Sequence, residues 1–194
     1  MKVGVILGSV RPVRMGTRVG TMVTEELERR GHTVTLFDPA VIDLPLLQKP
    51  LHWHGPNEDK PKILVDTYNL LKEQEAFIIC TPEYNFRFGS GRIKPFINTL
   101  LFSIPPALSN FIDHFPYDSF KWKCGSVISY SMGNFGGIVC QNQLRSMCAV
   151  IGLNLLPTAV TLPVVQTWVM SNYLFKFVIY PPNHSFDPTL KHFE

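Results

Sequence analysis

KVGVILGSVRPVRMGT, residues 2–17, contains the first half of a βαβ unit. Residues 2–8 are a short β-branched and apolar run closed by Gly8, the pattern of a parallel strand buried on both faces. A loop of small, hydroxyl and cationic residues then leads into residues 16–30, where Val19, Met22, Val23 and Leu27 recur at helical spacing and Gly31 follows as a C-terminal glycine stop.

The same alternation continues along the chain. Residues 33–37 (TVTLF) read as a second strand, and a proline-rich connection over 38–61 leads to a helix over 62–72 with Leu64, Tyr68 and Leu71 on one face. Residues 76–81 (AFIICT) are a third short apolar strand. Ser103 is placed to cap a helix whose first turn accepts Pro105 and Pro106, and Leu108, Phe111, Ile112 and Phe115 form its i, i+3, i+4, i+7 stripe. A fourth strand is expected over 124–131. A helix over 137–151 places Cys140, Leu144, Met147, Cys148 and Ile151 on one face, and a fifth strand is expected over 158–165. Strands and helices alternating at these lengths predict an α/β fold with a doubly wound parallel sheet. Ligands of such sheets bind beyond the carboxyl ends of the strands, so the loops after the first, third and fourth strands are where chemistry is expected.

Bulk properties narrow the function. The chain has 194 residues, 45% hydrophobic and 17% charged, enough for one domain with a sizeable core. The net charge of +3 comes from scattered residues apart from Arg11, Arg14 and Arg18, with no basic stripe for nucleic acid. Cys80, Cys124, Cys140 and Cys148 show no CxxC spacing and lie in apolar stretches, so all four are expected to be buried free thiols. No signal peptide follows Met1, and a cytoplasmic protein is expected. Residues 146–175 carry no charge, but Pro157, Pro163, Asn154, Gln166 and Asn172 interrupt them, which favours a buried strand with flanking segments over a membrane span. His52-Trp53-His54 lacks a third ligand at a recognisable spacing, so no metal site is expected. No GxSxG or HExxH pattern points to hydrolysis.

The three loops carry the candidate chemistry. After the first strand, Ser9, Arg11, Arg14, Gly16 and Thr17 precede a helix, whose N-terminal amides with hydroxyls and guanidinium groups make a phosphate cradle. The loop lacks the endings of a P-loop and the spacing of a dinucleotide fingerprint, so a monophosphate fits better. An ordinary turn with solvated arginines is the alternative. After the third strand, Pro82-Glu83-Tyr84-Asn85 offers a stiff turn, an aromatic face and an amide, suited to a flat polar heterocycle. Here the alternative is a proline turn whose Tyr84 only packs, with Glu83 a lone general base. After the fourth strand, Tyr130-Ser131-Met132-Gly133-Asn134-Phe135-Gly136-Gly137 has three glycines that let backbone approach a ligand, although glycine-rich turns also occur for conformational reasons alone.

Taken together, GSxR, TPEYN and YSxGxFGG in this order resemble the NAD(P)H-dependent FMN reductase family, flavodoxin-like proteins that include quinone and azo-compound reductases. The resemblance covers residues 1–85 and 103–166. It implies a five-stranded sheet in the order 2-1-3-4-5, FMN as cofactor, NADPH or NADH as co-substrate, a quinone or similar small acceptor, and a homodimer or homotetramer. By the same resemblance Ser9, Arg11, Gly16 and Thr17 hold the FMN phosphate, and Pro82, Glu83, Tyr84 and Asn85 border the isoalloxazine. Tyr130, Ser131, Gly133, Gly136 and Gly137 close the other side. The flavin carries the chemistry, so no catalytic acid or base is required of the protein.

Two segments depart from the family pattern. Residues 86–102 (FRFGSGRIKPFINTLLF), with three basic and no acidic residues, separate Asn85 from the next helix, which the family reaches almost directly. Residues 167–194 stand where the family has an amphipathic last helix, which is expected to be missing or replaced. Each begins abruptly, as translated non-coding sequence would. The domain expectation is therefore a flavodoxin-like unit over 1–166, interrupted at 86–102, and a divergent tail. The insertion keeps open a flavin-deficient flavodoxin-like module that acts through interactions, and the uncharged C-terminal third keeps open membrane association.

Overall fold

In the computed structural model, which describes residues 1–84 and 104–168, Val5, Ile6 and Leu7 of the first strand are fully buried. That follows from the strand's place inside the sheet, where both faces are covered. This strand, β1 (Lys2–Leu7), is joined by β2 (Thr33–Phe37), β3 (Ala76–Pro82), β4 (Cys124–Tyr130), β5 (Asn154–Leu155) and β6 (Val160–Leu162). The sheet is parallel, in the order β2-β1-β3-β4-β5 with β6 also on β4, and the fold is flavodoxin-like. Leu7 lies opposite Cys80, and Cys80 opposite Ile128, so the carboxyl ends of β1, β3 and β4 finish together and project their loops to one side.

The α-helices among the described residues are α1 (Met15–Arg29), α2 (Pro39–Ile42), α3 (Lys62–Glu73), α4 (Pro106–Asp113), α5 (Ile138–Val150) and α6 (Val165–Trp168). The glycine stop expected after α1 is present. Gly31 has φ +82°, its amide donates to Glu28 O at 2.9 Å, and the His32 amide donates to Leu27 O at 3.0 Å. At the same amino edge of the sheet the Lys123 ammonium donates to Leu71 O at 2.8 Å and Lys72 O at 3.1 Å, satisfying carbonyls at the end of α3.

Strand alternation sorts the core into two layers. Ile6, Phe77, Ile79 and Val127 pack with Leu64 and Leu71 of α3, Leu108, Phe111 and Ile112 of α4, and Leu144 and Cys148 of α5. Val5, Leu7, Cys80, Ile128 and Tyr130 face the other way, against Val19 and Val23 of α1, Leu162 and Val165. Gly20 allows α1 to sit close, since a Cβ there would meet Leu7 Cδ2 at 2.6 Å.

Several expectations need correction. The fifth strand is two pieces: β5 pairs with Cys124 and Gly125, and β6 pairs with Ile128, Ser129 and Tyr130. Pro157 sits in the gap, where Arg145 of α5 takes up the freed carbonyls, donating to Leu156 O at 2.9 Å and Pro157 O at 2.8 Å. The proline-rich connection holds α2 and a short 3-10 helix (Leu51–Trp53), neither of which was expected. Asp38 nucleates α2 by accepting from the Ala40 amide at 3.0 Å. Cys80, Cys140 and Cys148 are buried free thiols, whereas Cys124, at the solvated start of β4, is exposed. The helix cap expected at Ser103 is instead at Pro105, where α4 begins without a side-chain cap; Ser103 itself, the segment 86–102 and residues 169–194 lie outside the described residues, so the insertion and nearly all of the tail do too. Among the described residues no helix is long and apolar enough to cross a membrane.

Candidate functional site

The loops after β1, β3 and β4 meet around one cleft of about 400 Å³ at the carboxyl edge of the sheet. Ser9, Arg11, Pro12, Val13, Arg14 and Met15 line it from the first loop, Pro82, Glu83 and Tyr84 from the second, and Tyr130, Ser131, Met132, Gly133 and Phe135 from the third. Val165 of α6 completes the wall. Of the residues expected at a site, Ser9, Arg11, Pro82, Glu83, Tyr84, Tyr130, Ser131 and Gly133 are therefore brought together.

The first loop is tied to the second. The Ser9 hydroxyl, buried, is hydrogen-bonded to the Tyr84 hydroxyl and accepts from the Arg11 amide at 3.3 Å. The Arg11 guanidinium lies over the Tyr84 ring, 3.5 Å from its centroid, a cation–π arrangement. Arg14 turns away to form an ion pair with Asp38 at the end of β2, both side chains largely covered. The first turn of α1 carries no acidic residue, and its N-cap Arg14 makes no side-chain capping bond. The N–H groups at this helix end have no intrahelical acceptor and carry the positive end of the helix dipole. Gly16 is buried in that turn, and any Cβ there would run into the Tyr130 hydroxyl. Thr17, one position on, is exposed and does not line the cleft.

Glu83 has a role that sequence spacing could not suggest. Its Oε2 accepts from the amides of Val139 at 3.0 Å and Cys140 at 3.1 Å in the first turn of α5, a helix whose own N-cap, Gly137, has no side chain. Its amide donates to Tyr130 O at 3.0 Å. The carboxylate thus fastens the second loop to α5, which disfavours the lone general base. Gly136 and Gly137, at φ +60° and +83°, do not line the cleft. A Cβ on Gly136 would meet Pro163 N at 2.9 Å, and one on Gly137 would meet Ser129 Cβ at 3.0 Å, so these glycines admit neighbouring backbone. Gly133 is open, with no atom within 4 Å of where its Cβ would stand. Asn85 lies outside the described residues.

Sequence reasoning did not assign the wall residues Pro12, Val13, Met15, Met132 and Val165, nor the Arg14–Asp38 pair. Tyr130 is the other feature of note: it is 3% exposed, yet its hydroxyl has no hydrogen-bond partner. Burial raises its pKa, so the group remains a protonated phenol. Among the described residues no three His, Cys, Asp or Glu side chains gather in metal-binding geometry. Chemically the cleft offers an aromatic and apolar slot with an anion-attracting end at α1.

The model of a family described as NADPH-dependent FMN reductase matches residues 1–103 and 99–167. The chain is similar to an NAD(P)H-dependent FMN reductase of Saccharomyces cerevisiae, 26% identical over 181 residues, covering 84% of this chain and 82% of that protein. A protein of the same description from Schizosaccharomyces pombe is 26% identical over 176 residues, covering 84% of this chain and 74% of the other. Among solved structures, the flavoenzyme NAD(P)H:(acceptor) oxidoreductase of Paracoccus denitrificans superposes with a TM-score of 0.61 at 24% identity, over 81% of this chain and 77% of that one. An NAD(P)H:quinone oxidoreductase of Methanothermobacter marburgensis gives 0.54 at 11%, over 88% and 94%. At these identities the structural likenesses speak to the fold.

Proposed function

The chain belongs to the NADPH-dependent FMN reductase family and is an oxidoreductase; on that premise we propose that it holds FMN in the cleft above β1, β3 and β4 and passes electrons from NADPH or NADH to a quinone or similar small acceptor. The observation that carries this reading is the convergence of three separate loops on one slot, with an uncapped helix N-terminus and a buried, unpaired hydroxyl at one end. Those are the parts a flat heterocycle on a phosphorylated chain requires, so the residues present fit the cofactor.

The phosphate end is assigned to Ser9, Arg11 and the first turn of α1 at Gly16 and Thr17. Since Thr17's side chain is exposed, its contribution is restricted to its amide. The ring is assigned to the slot between Pro82, Glu83 and Tyr84 on one side and Ser131 and Gly133 on the other, with the Gly136-Gly137 turn supporting that wall from behind. For the Tyr84 face to be used, the Arg11 guanidinium leaves it and turns to the phosphate. Bound FMN supplies hydride and electron transfer; the protein binds, orients and excludes water. Pro12, Met15, Pro82 and Val165 give the slot apolar walls, and the Glu83 anchor keeps its two sides at a fixed separation. The reading takes residues 1–166 as the cofactor-binding unit, interrupted at 86–102, with 167–194 as a divergent tail, and the protein as a cytoplasmic homodimer or homotetramer.

The test is to mix the purified protein with FMN, desalt it, record the visible spectrum and elution volume, and follow NADPH and NADH oxidation with a quinone. Retained flavin, an oligomeric elution volume and quinone-dependent oxidation are expected. A folded but colourless protein that oxidises neither nicotinamide would refute the reading and favour a flavin-free interaction module.

A further inference from the structure

Two sets of donors without acceptors meet at one point of the cleft. The first is the α1 N-terminus, a 15-residue helix with no acidic residue in its first turn and no side-chain cap. The second is the Tyr130 hydroxyl, 3% exposed and unpartnered, and placed so close to Gly16 that a Cβ there would displace it. A buried hydroxyl with no partner is costly, and native proteins seldom retain one that serves nothing. Its position also explains the glycine. Residue 16 is the second residue of α1 and has no positive φ, so the backbone conformation does not call for glycine there. The close approach of the phenol accounts for it.

The other side chains at this end are engaged elsewhere. Ser9 is bonded to the Tyr84 hydroxyl, Arg11 lies on the Tyr84 ring and Arg14 is paired with Asp38. Only the Arg14 Nε and the Tyr130 hydroxyl, among the described residues lining the cleft, are buried side-chain polar atoms without a hydrogen-bond partner. Both are donors, because the phenol stays protonated.

We infer that Tyr130 is a phosphate-binding residue, its hydroxyl donating to the phosphoryl group held by the first-turn amides of α1. The family resemblance instead places Tyr130 beside the flavin ring. The strand order makes the reach possible: Tyr130 ends β4, passes the end of β3 on the face that carries α1, and arrives at the helix start that follows β1. The inference rests on the reading of this cleft as a flavin site, and it predicts which end of the cofactor the phenol serves.

The experiment compares FMN with riboflavin, the same ring without the phosphate, by fluorescence titration of the flavin-free wild type and of Tyr130→Phe. Inorganic phosphate is added as a ringless probe read by melting temperature. Loss of one hydrogen bond to a charged group should weaken FMN binding in the variant by roughly ten- to a hundredfold while riboflavin binding is unchanged. Phosphate should raise the melting temperature of the wild type and not that of the variant. The flavin-free variant should melt no lower than wild type, because the hydroxyl removed has no partner. Equal losses for both flavins would overturn the inference by assigning the phenol to the ring, and an unchanged FMN affinity would overturn it outright. If neither flavin binds while phosphate still stabilises only the wild type, the anion site stands and the flavin reading fails.

Discussion

Removing the Glu83 carboxylate tests whether this residue fastens the cleft together or performs chemistry in it. Two amides of the α5 first turn, Val139 and Cys140, depend on Oε2, and Cys140 is buried, so its amide cannot be fully rescued by water in Glu83→Ala. Loss of a helix cap costs about 0.5–2 kcal/mol. The favourable charge–dipole interaction at a helix N-terminus adds about 0.3–1 kcal/mol. Together they give a loss of about 2 kcal/mol for the alanine variant, equivalent to a fall of about 4–8 °C in Tm for a chain of this size. Glu83→Gln keeps an acceptor oxygen and loses only the charge, so its loss is about 0.3–1 kcal/mol. Thermal unfolding followed by circular dichroism, with urea midpoints at unchanged m, should therefore rank wild type above glutamine above alanine. The reasoning is refuted if the alanine variant stays within about 0.5 kcal/mol of wild type, the usual range of an inconsequential surface change. It is equally refuted if the glutamine variant is the less stable of the two.

Two more outcomes follow from the same geometry. In Arg11→Ala, a lost charge-assisted phosphate contact of about 1.5–3 kcal/mol outweighs the release of a cation–π contact of about 0.5–1 kcal/mol, so FMN affinity should fall by about five- to thirtyfold. Fluorescence titration checks this, and unaltered or tighter binding would remove Arg11 from the phosphate assignment. A thiol reagent should modify one cysteine rapidly in the native protein, Cys124, and the other three only on unfolding, since burial pushes Cys80 and Cys148 up to about 12 and Cys140 to about 11. Cys124→Ser should abolish the rapid phase; a second rapid thiol in the folded protein would contradict the burial.

Where local signals act, the sequence was sufficient. The buried run of β1, the glycine after Arg30 and the apolar stripes of α1, α4 and α5 are written in neighbouring residues, and the order of the sheet followed from the family resemblance they helped to establish. Less legible were the features that depend on residues far apart. The 158–165 run looked like one strand because its apolar residues are contiguous, but pairing also takes in Asn154 and Leu155, and the break at Pro157 is held by a guanidinium from α5. Glu83 meets its partners 56 and 57 residues away, at backbone amides that have no sequence signature. Gly136 and Gly137 were expected to serve a ligand. Their positive φ and the neighbours a Cβ would strike instead tie them to the edge where β4 and β6 meet. Cys124 sits in an apolar-looking run, but at a strand's first residue that pattern says little about exposure.

The pairing of β6 with β4 also sets an order on biosynthesis. The Ser131 amide donates to Leu162 O at 3.2 Å, the Val165 amide to Ser131 O at 3.0 Å and the Val164 amide to Gly133 O at 3.0 Å. Once β1, β3, β4 and α5 have emerged, one wall of the cleft is still waiting for its supports, which follow α5 in the chain. Until then β4 presents an unpaired edge over Ile128, Ser129 and Tyr130, a template for joining another chain. A chain shortened ahead of residue 160 is therefore expected to lose one support of the cleft and to leave that edge of β4 unpaired.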